Sequence, residues 1–291
     1  MNTPRFQQTI AGSARVAGFG YWSGKDVQVE IRPAPVNSGV VFVRTDLGSA
    51  ARIAAAVENR IEIPRRTTLA VGSARVEMVE HILAALAGLQ IDNCEVCVDG
   101  AELPGCDGSS KPFVEALLAA GIERQDWPVR RLIVPDVTRV GNDDNWVEAR
   151  PTKRPGLALK YRLDYGSENP IGKQTLELRI TPDSFQRELA PARTFLMQEE
   201  AEWLRSRGLG ARVTARDVLV FNDTGLIDNE LRFEDECVRH KALDLLGDLA
   251  LAGCEIVGQI VAYRSGHRLN ADLVRVLLAE GQMIEPRRKT A

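Results

Sequence analysis

Apolar and polar residues alternate over residues 27–32 (VQVEIR), the period of a half-buried strand. Residues 40–44 (VVFVR), 60–63 and 93–98 (NCEVCV) read as further strands. Residues 79–89 (VEHILAALAGL) read as a helix whose buried face is Met78, Ile82, Leu86 and Leu89. The turn-rich ELPGCDGSS precedes a second helix at 112–120, with Ser109 or Ser110 as cap and Gly121 as stop. After a boundary near QDWP (125–128) the same grammar returns. Strands are expected at 132–134, 146–150, 157–164, 175–180 and 255–263. Helices are expected at 198–207, 232–252 and 271–280, the first two stopped by Gly208 and Gly253. Strands followed by helices, twice, predict an α+β protein of two similar units, although no residue-level repeat accompanies the pattern.

The chain has 291 residues, 44% hydrophobic and 26% charged, which supplies a sizeable core and excludes disorder as the dominant state. That length fits one large domain or two modest ones. With 37 basic and 40 acidic residues the net charge is −3, so a basic nucleic-acid-binding surface is not expected. Five sparse cysteines point to a reducing compartment. The N-terminal MNTPRFQQTIAGSAR lacks an unbroken apolar core, so no signal peptide is expected. The longest apolar run, near 82–89, is too short to span a bilayer.

Two motifs fail on inspection. GFGYWSGK at 18–25 has Phe19 and Asp26 where a phosphate loop needs Gly and Ser/Thr, and Ser23 where a dinucleotide fingerprint needs Gly. A turn between strands is the better reading. Cys94 and Cys97 lack a second pair to complete a zinc knuckle, and read as small core residues.

The three histidines carry the candidate chemistry. In the 232–252 helix, Val238, Ala242, Leu245, Leu246 and Leu249 share one face, while His240, Asp244 and Asp248 follow at i, i+4 and i+8 on the other, flanked by Lys241. Such a stripe suits a solvated face, but a histidine and a carboxylate one turn apart can also ligate one metal ion. In the 79–89 helix, Glu80 and His81 lie off the apolar face, and Ala84, Ala85 and Gly88 leave room beside the imidazole. His81, His240 and Asp244 together make a two-histidine, one-carboxylate set suited to a catalytic zinc with an open position, and Glu80 could take a proton from water held there. His267 falls in a loop, YRSGHRLN, after a strand; Asp248 could hold it charged as a proton donor were the fold to join them.

VEHILAALAGLQIDN, LPGCDGSSKPF, ARTF, GLIDNELRFEDECVRHKALDLLGDL and YRSGHRLN, in that order from Gln8 to about Leu278, resemble the UDP-3-O-acyl-N-acetylglucosamine deacetylase family, zinc enzymes of the committed step of lipid A biosynthesis in Gram-negative bacteria. The resemblance implies that His81, His240 and Asp244 bind Zn²⁺ (or Fe²⁺). It implies Glu80 as general base, His267 as general acid supported by Asp248, and Thr194 as an oxyanion donor. Lys241 and Phe195 would contact substrate near the scissile amide, Arg264 the diphosphate, and Asp164 with Tyr165 the nucleotide. The implied fold is α+β, two domains of like topology with helices packed between β-sheets, a β-α-α-β sandwich with the site at the interface. Residues 1–127 would carry Glu80 and His81, and residues 128–291 the remaining groups and an acyl-chain passage at about 194–214. Phe195, Leu196, Met197, Trp203, Leu204 and Leu209 would line that passage, unless the segment is simply an amphipathic helix on the core.

The chain departs from the family pattern at Tyr21 and Trp22, which stand in an early G-x-G-L-H-S-G, and at Arg264, where lysine is usual. LPGCDGS replaces a more apolar turn, and no glycine follows ARTF. Asp107 is retained as turn support. The expected partner is a small acylated UDP-sugar, without nucleic acid or stable membrane insertion, for a monomer in the cytoplasm. Two alternatives stand: a catalytically silent nucleotide-sugar or lipid-binding paralogue, to which the altered N-terminal motif points, and the same deacetylation on another N-acetyl sugar.

Overall fold

The computed structural model describes residues 5–48 and 51–285. The first four residues of the N-terminal segment read above lie outside them. Two large sheets organise the chain. A five-stranded sheet runs in the order Ala14–Phe19, Asp26–Pro33, Cys94–Val98, Val40–Arg44, Arg52–Ala54. A seven-stranded sheet is built around Glu255–Tyr263, which pairs with Arg131–Ile133, Trp146–Arg150 and Leu157–Asp164.

Each sheet has a parallel pair at its centre whose connection runs through a helix, and the seven-stranded sheet has a second parallel pair, Arg131–Ile133 with Glu255–Tyr263. Val40–Arg44 and Cys94–Val98 pair in parallel, joined through helix α1 (Glu80–Gly88). Helix α2 (Lys111–Ala120) follows. In the second half come a single capped turn, α3 (Pro182–Ser184), and α4 (Gln198–Ser206). Leu157–Asp164 and Glu255–Tyr263 then pair in parallel through α5 (Glu236–Leu249), and α6 (His267–Glu280) follows. Parallel pairing demands such a crossover, and both crossover helices turn towards the middle of the molecule. This is the α+β architecture of two like units read from the sequence.

Helices α1 and α5 pack directly on each other, and the apolar residues of both halves form one continuous core. Their backbones approach closely at Gly247, where a Cβ would collide with the Glu80 carbonyl. That approach brings His81 and His240 into one place.

Several elements differ from their prediction for identifiable reasons. Helix α5 begins at Glu236 rather than at 232. The Glu236 carboxylate accepts from the Arg232 amide (2.6 Å), the Arg193 amide (3.0 Å) and the Arg193 side chain (2.8 Å), which winds 232–235 into a turn. Helix α6 begins at His267, not at 271, so His267 is a helix N-terminal residue rather than a loop residue. Helix α2 is capped by Ser109, whose Oγ accepts from the Lys111 amide, while Ser110 donates instead to the His81 carbonyl at 2.7 Å. The hairpin of Thr68–Val71 and Ala74–Glu77, and the pairing of Phe6–Ile10 with Ile122–Pro128, were not predicted.

Candidate metal and acid–base site

The α1–α5 contact buries what sequence periodicity left on polar faces. Glu80, His81, His240, Asp244 and Asp248 are all buried, so neither helix presents a solvated stripe. One ligand atom each from His81, His240 and Asp244 lies within 4.8 Å of the others. Asp244 Oδ1 is 3.2 Å from His240 Nε2 and 3.7 Å from His81 Nε2. The two imidazoles meet edge to face with ring centroids 5.1 Å apart.

The protonation pattern suits a cation at this point. His240 Nδ1 is 3.0 Å from the Ala192 carbonyl, which only accepts, so Nδ1 carries the hydrogen and Nε2 turns towards Asp244. Burial, with His240 next to it, pushes His81 down to about 3, which keeps it neutral. Burial works to raise the Asp244 carboxyl, yet His240 and Lys241 outweigh it and hold Asp244 well below the usual carboxylate range. A proton on His240 Nε2 satisfies its contact with Asp244 when no metal is bound; deprotonated, two imidazole nitrogens and a carboxylate oxygen turned on one another call for a metal cation between them. Two imidazoles and one carboxylate are the donor set of a three-ligand catalytic metal site. The other Asp244 oxygen, Oδ2, accepts from Lys241 Nζ at 2.6 Å.

Glu80 stands one residue before His81 at the start of α1. Burial raises its carboxyl to about 7, partly offset by His267. His267, at the first turn of α6, sits where the helix dipole disfavours a cation. Burial disfavours it too, but Asp248 overrides both and lifts His267 to about 9. The contact is 2.9 Å, from His267 Nδ1 to Asp248 Oδ2. Asp248 is fully buried, and it also accepts from Asn270 Nδ2 at 2.8 Å and Thr67 Oγ1 at 2.5 Å. The structure thus joins Asp248 and His267. Sequence reading missed Asn270 and Thr67, and it missed the buried Arg193–Glu236 pair that anchors the strand following Thr194 to the start of α5. A buried charge requires partners, and that requirement is the one signal that could have pointed to them.

These groups open into a cavity of about 520 Å³. Thr194, Phe195, Lys241, Arg264 and Tyr165 all line it. The Phe195 ring lies between Tyr165 and His240, at 6.0 and 6.5 Å. Asp164 is not on the cavity wall; its carboxylate accepts from the Gly166 amide and the Tyr263 hydroxyl and faces Lys173. Leu196, Leu204 and Leu209 contribute an apolar wall, joined by Val213, Val218 and Met78. Met197 and Trp203 do not line it: Met197 Sδ meets Asn169, and Trp203 is exposed beneath the guanidinium of Arg207. Gly88 leaves no room beside His81, because the Phe185 ring fills its place.

The departures from the family pattern have structural roles. The Tyr21 hydroxyl donates to the Asp217 carbonyl at 2.7 Å, and its ring lies where a Cβ on Gly105 would be. Tyr21 thereby pins the 194–218 segment to the N-terminal turn and forms part of the cavity wall. The Trp22 amide donates to Glu102 at 2.8 Å. Asp107 accepts from Ser109 and pairs with Arg232 at 2.8 Å, the turn support expected of it.

A family model described as UDP-3-O-acyl N-acetylglycosamine deacetylase matches residues 7–279. A protein of Shewanella violacea named UDP-3-O-acyl-N-acetylglucosamine deacetylase is 39% identical over 284 residues, covering 94% of this chain and 90% of the relative. One of the same name from Thioalkalivibrio sulfidiphilus is 40% identical over 278 residues, with the same coverage.

Proposed function

The chain belongs to the UDP-3-O-acyl N-acetylglycosamine deacetylase family, and on that premise we propose that His81, His240 and Asp244 hold a catalytic zinc ion, with iron(II) the other metal this donor set accepts. The activity is hydrolysis of the N-acetyl group of UDP-3-O-acyl-N-acetylglucosamine to UDP-3-O-acyl-glucosamine and acetate, the committed step of lipid A biosynthesis. One observation carries the reading: three ligand atoms within 4.8 Å of one another, beside a carboxyl held near neutrality and an imidazole held charged.

A divalent cation bound there lowers the proton affinity of water and polarises a carbonyl. Glu80 takes the proton of the attacking water as its oxygen bonds to the acetamide carbon. Thr194 donates to the oxyanion that develops. His267 gives its Nε2 proton to the glucosamine nitrogen as the C–N bond breaks and acetate leaves. Asp248 keeps that imidazolium charged and aimed. Lys241 and Phe195 meet the substrate beside the amide, Arg264 the diphosphate, and Tyr165 the nucleotide end, while Asp164, off the cavity wall, holds the turn behind Tyr165 through the Gly166 amide. The apolar wall contributed by the 194–214 segment takes the acyl chain. Residues 1–127 and 128–291 act as the two units whose junction carries the site. The five free cysteines suit the cytoplasm, where the enzyme works as a monomer. Among the described residues no helix is long and apolar enough to cross a membrane.

The test is mass-spectrometric product analysis with UDP-3-O-acyl-N-acetylglucosamines of graded acyl length, together with metal analysis. Glu80→Ala and His267→Ala should each lose at least about 10²-fold in turnover while retaining metal. Bound metal with no acetate released from any of these substrates would instead indicate a silent binding protein.

A further inference from the structure

Thr67 is completely buried and touches both halves of the acid–base machinery. Its backbone amide donates to Glu80 Oε2 at 2.9 Å. Its hydroxyl donates to Asp248 Oδ1 at 2.5 Å, and the same oxygen lies 3.2 Å from His267 Nδ1. Its carbonyl accepts from the Val79 amide at 3.3 Å, one residue before α1. Glu80, Asp248 and His267 belong to three different helices, so a single residue bridges α1, α5 and α6.

We propose that Thr67 is a positioning residue that locks the proton acceptor Glu80 and the proton donor pair Asp248–His267 into one geometry, the first through its amide and the second through its hydroxyl. The proposal rests on the roles given above to Glu80 and His267. Asp248 Oδ2 is shared by His267 and Asn270, and Oδ1 is served by the Thr67 hydroxyl. Without that hydroxyl a buried carboxylate oxygen loses its donor, and the carboxylate gains by rotating to divide its remaining donors between both oxygens. The imidazole follows Asp248, and the displacement is greatest at Nε2, the atom across the ring from the anchor. Proton transfer tolerates little misplacement. Thr67 enters the strand Thr68–Val71, and its branched Cβ restricts the hydroxyl to few directions.

The hydroxyl also draws off part of the Asp248 charge. The negative groups acting on His267 are Asp248, Glu80 and Asp244. With the hydroxyl gone, Asp248 acts on His267 with more of its charge, so the imidazolium should be held more tightly even as turnover falls. Simple loss of packing would lower turnover and stability without raising that titration.

The experiment uses the metal-loaded enzyme with Thr67→Val, which keeps the shape and the amide bond to Glu80, and Thr67→Ser, which keeps the hydroxyl. Thr67→Val should lower kcat about 10- to 100-fold with KM within about twofold. Its metal content should equal that of the parent, and Thr67→Ser should stay within about threefold of the parent kcat. Nitrogen-15 NMR of the His267 imidazole, assigned by its loss in His267→Gln, should titrate at higher pH in Thr67→Val. In a His267→Ala background, Thr67→Val should cost little more, since the two changes break one unit. A parent-like kcat in Thr67→Val, an unmoved imidazole titration, or an equal loss in Thr67→Ser would each overturn the proposal. Should Thr67→Val not fold, Thr67→Ala carries the same comparisons. The imidazole titration needs no substrate, so it decides the role of Thr67 even if the parent releases no acetate and the proposed reaction fails.

Discussion

Replacing Asp248 by asparagine tests whether one buried carboxylate sets the charge of the proton donor. The shape is preserved, and the Thr67 hydroxyl can rotate to accept from the new amide, so the fold should tolerate the change. What is lost is the charge that lifts His267 from the ordinary 6.5 to about 9. Burial is then opposed only by the charges of Glu80 and Asp244, and the imidazole titrates well below its parent value. The active form needs Glu80 ionised, with its carboxyl near 7, and His267 protonated. In the parent the two values leave a window near pH 8 where both conditions hold, and in Asp248→Asn that window narrows from its alkaline side. The maximum rate should therefore fall and move to lower pH, and the loss should be greatest on the alkaline side, about tenfold for each pH unit by which the His267 titration drops. The field of a bound divalent cation lowers both titrations in parent and variant alike, so the comparison between them survives. The assay is kcat against pH for both proteins at saturating substrate. Superimposable profiles would refute the assignment of Asp248 to the charge of His267. The same pair acts on stability. Because the folded value of His267 lies above the unfolded 6.5, its stabilisation is fully present below about pH 6.5 and is lost as pH rises through about 9. Thermal melts of Asp248→Asn should fall furthest below the parent near pH 6, by an amount equivalent to at most about 3 kcal/mol since Glu80 and Asp244 supply part of the shift, and the gap should narrow towards pH 9.

Gly247→Ala should destabilise the fold by about 1–3 kcal/mol and weaken metal retention, because the new methyl meets the Glu80 carbonyl and must separate α1 from α5; denaturant melts and metal titration measure the two effects. Glu236→Gln leaves the buried Arg193 guanidinium without its counter-charge, and should cost about 3–5 kcal/mol in denaturant unfolding. Chelation should lower the melting temperature of the parent, and readdition of zinc should restore it, since a bound ion stabilises the folded state and its removal leaves only a proton on His240 Nε2 to join it to Asp244 Oδ1 at 3.2 Å. Asp244→Asn should show little of this chelator response.

The elements that failed to show in the sequence are informative. The ribbon of Phe6–Ile10 (FQQTI) and Ile122–Pro128 (IERQDWP) has no apolar run to announce it, because its stability comes from pairing two segments more than a hundred residues apart. The Thr68–Val71 and Ala74–Glu77 hairpin did carry a signal, a two-residue Gly72–Ser73 turn with Gly72 at φ +59, which the reading passed over. With it went Thr67, the residue immediately before the hairpin. His267 looked like a loop residue because YRSGHRLN opens with turn formers, whereas Gly266 only marks the start of α6.

The sequence by itself determined the five longer α-helices, the central strands of both large sheets, the α+β class, the doubled order of strands and helices, and the identity of the three candidate metal ligands. Hydrophobic period is a local property, and ligand chemistry is a property of residue type. Only the tertiary structure decided that the polar sides of α1 and α5 face each other rather than water, that Asp248 meets His267, and that Thr67 spans both. Those facts depend on how close two helices come, which Gly247 permits, and on which buried charges must find partners once they are there. No periodicity along one chain encodes a distance between two segments about 160 residues apart.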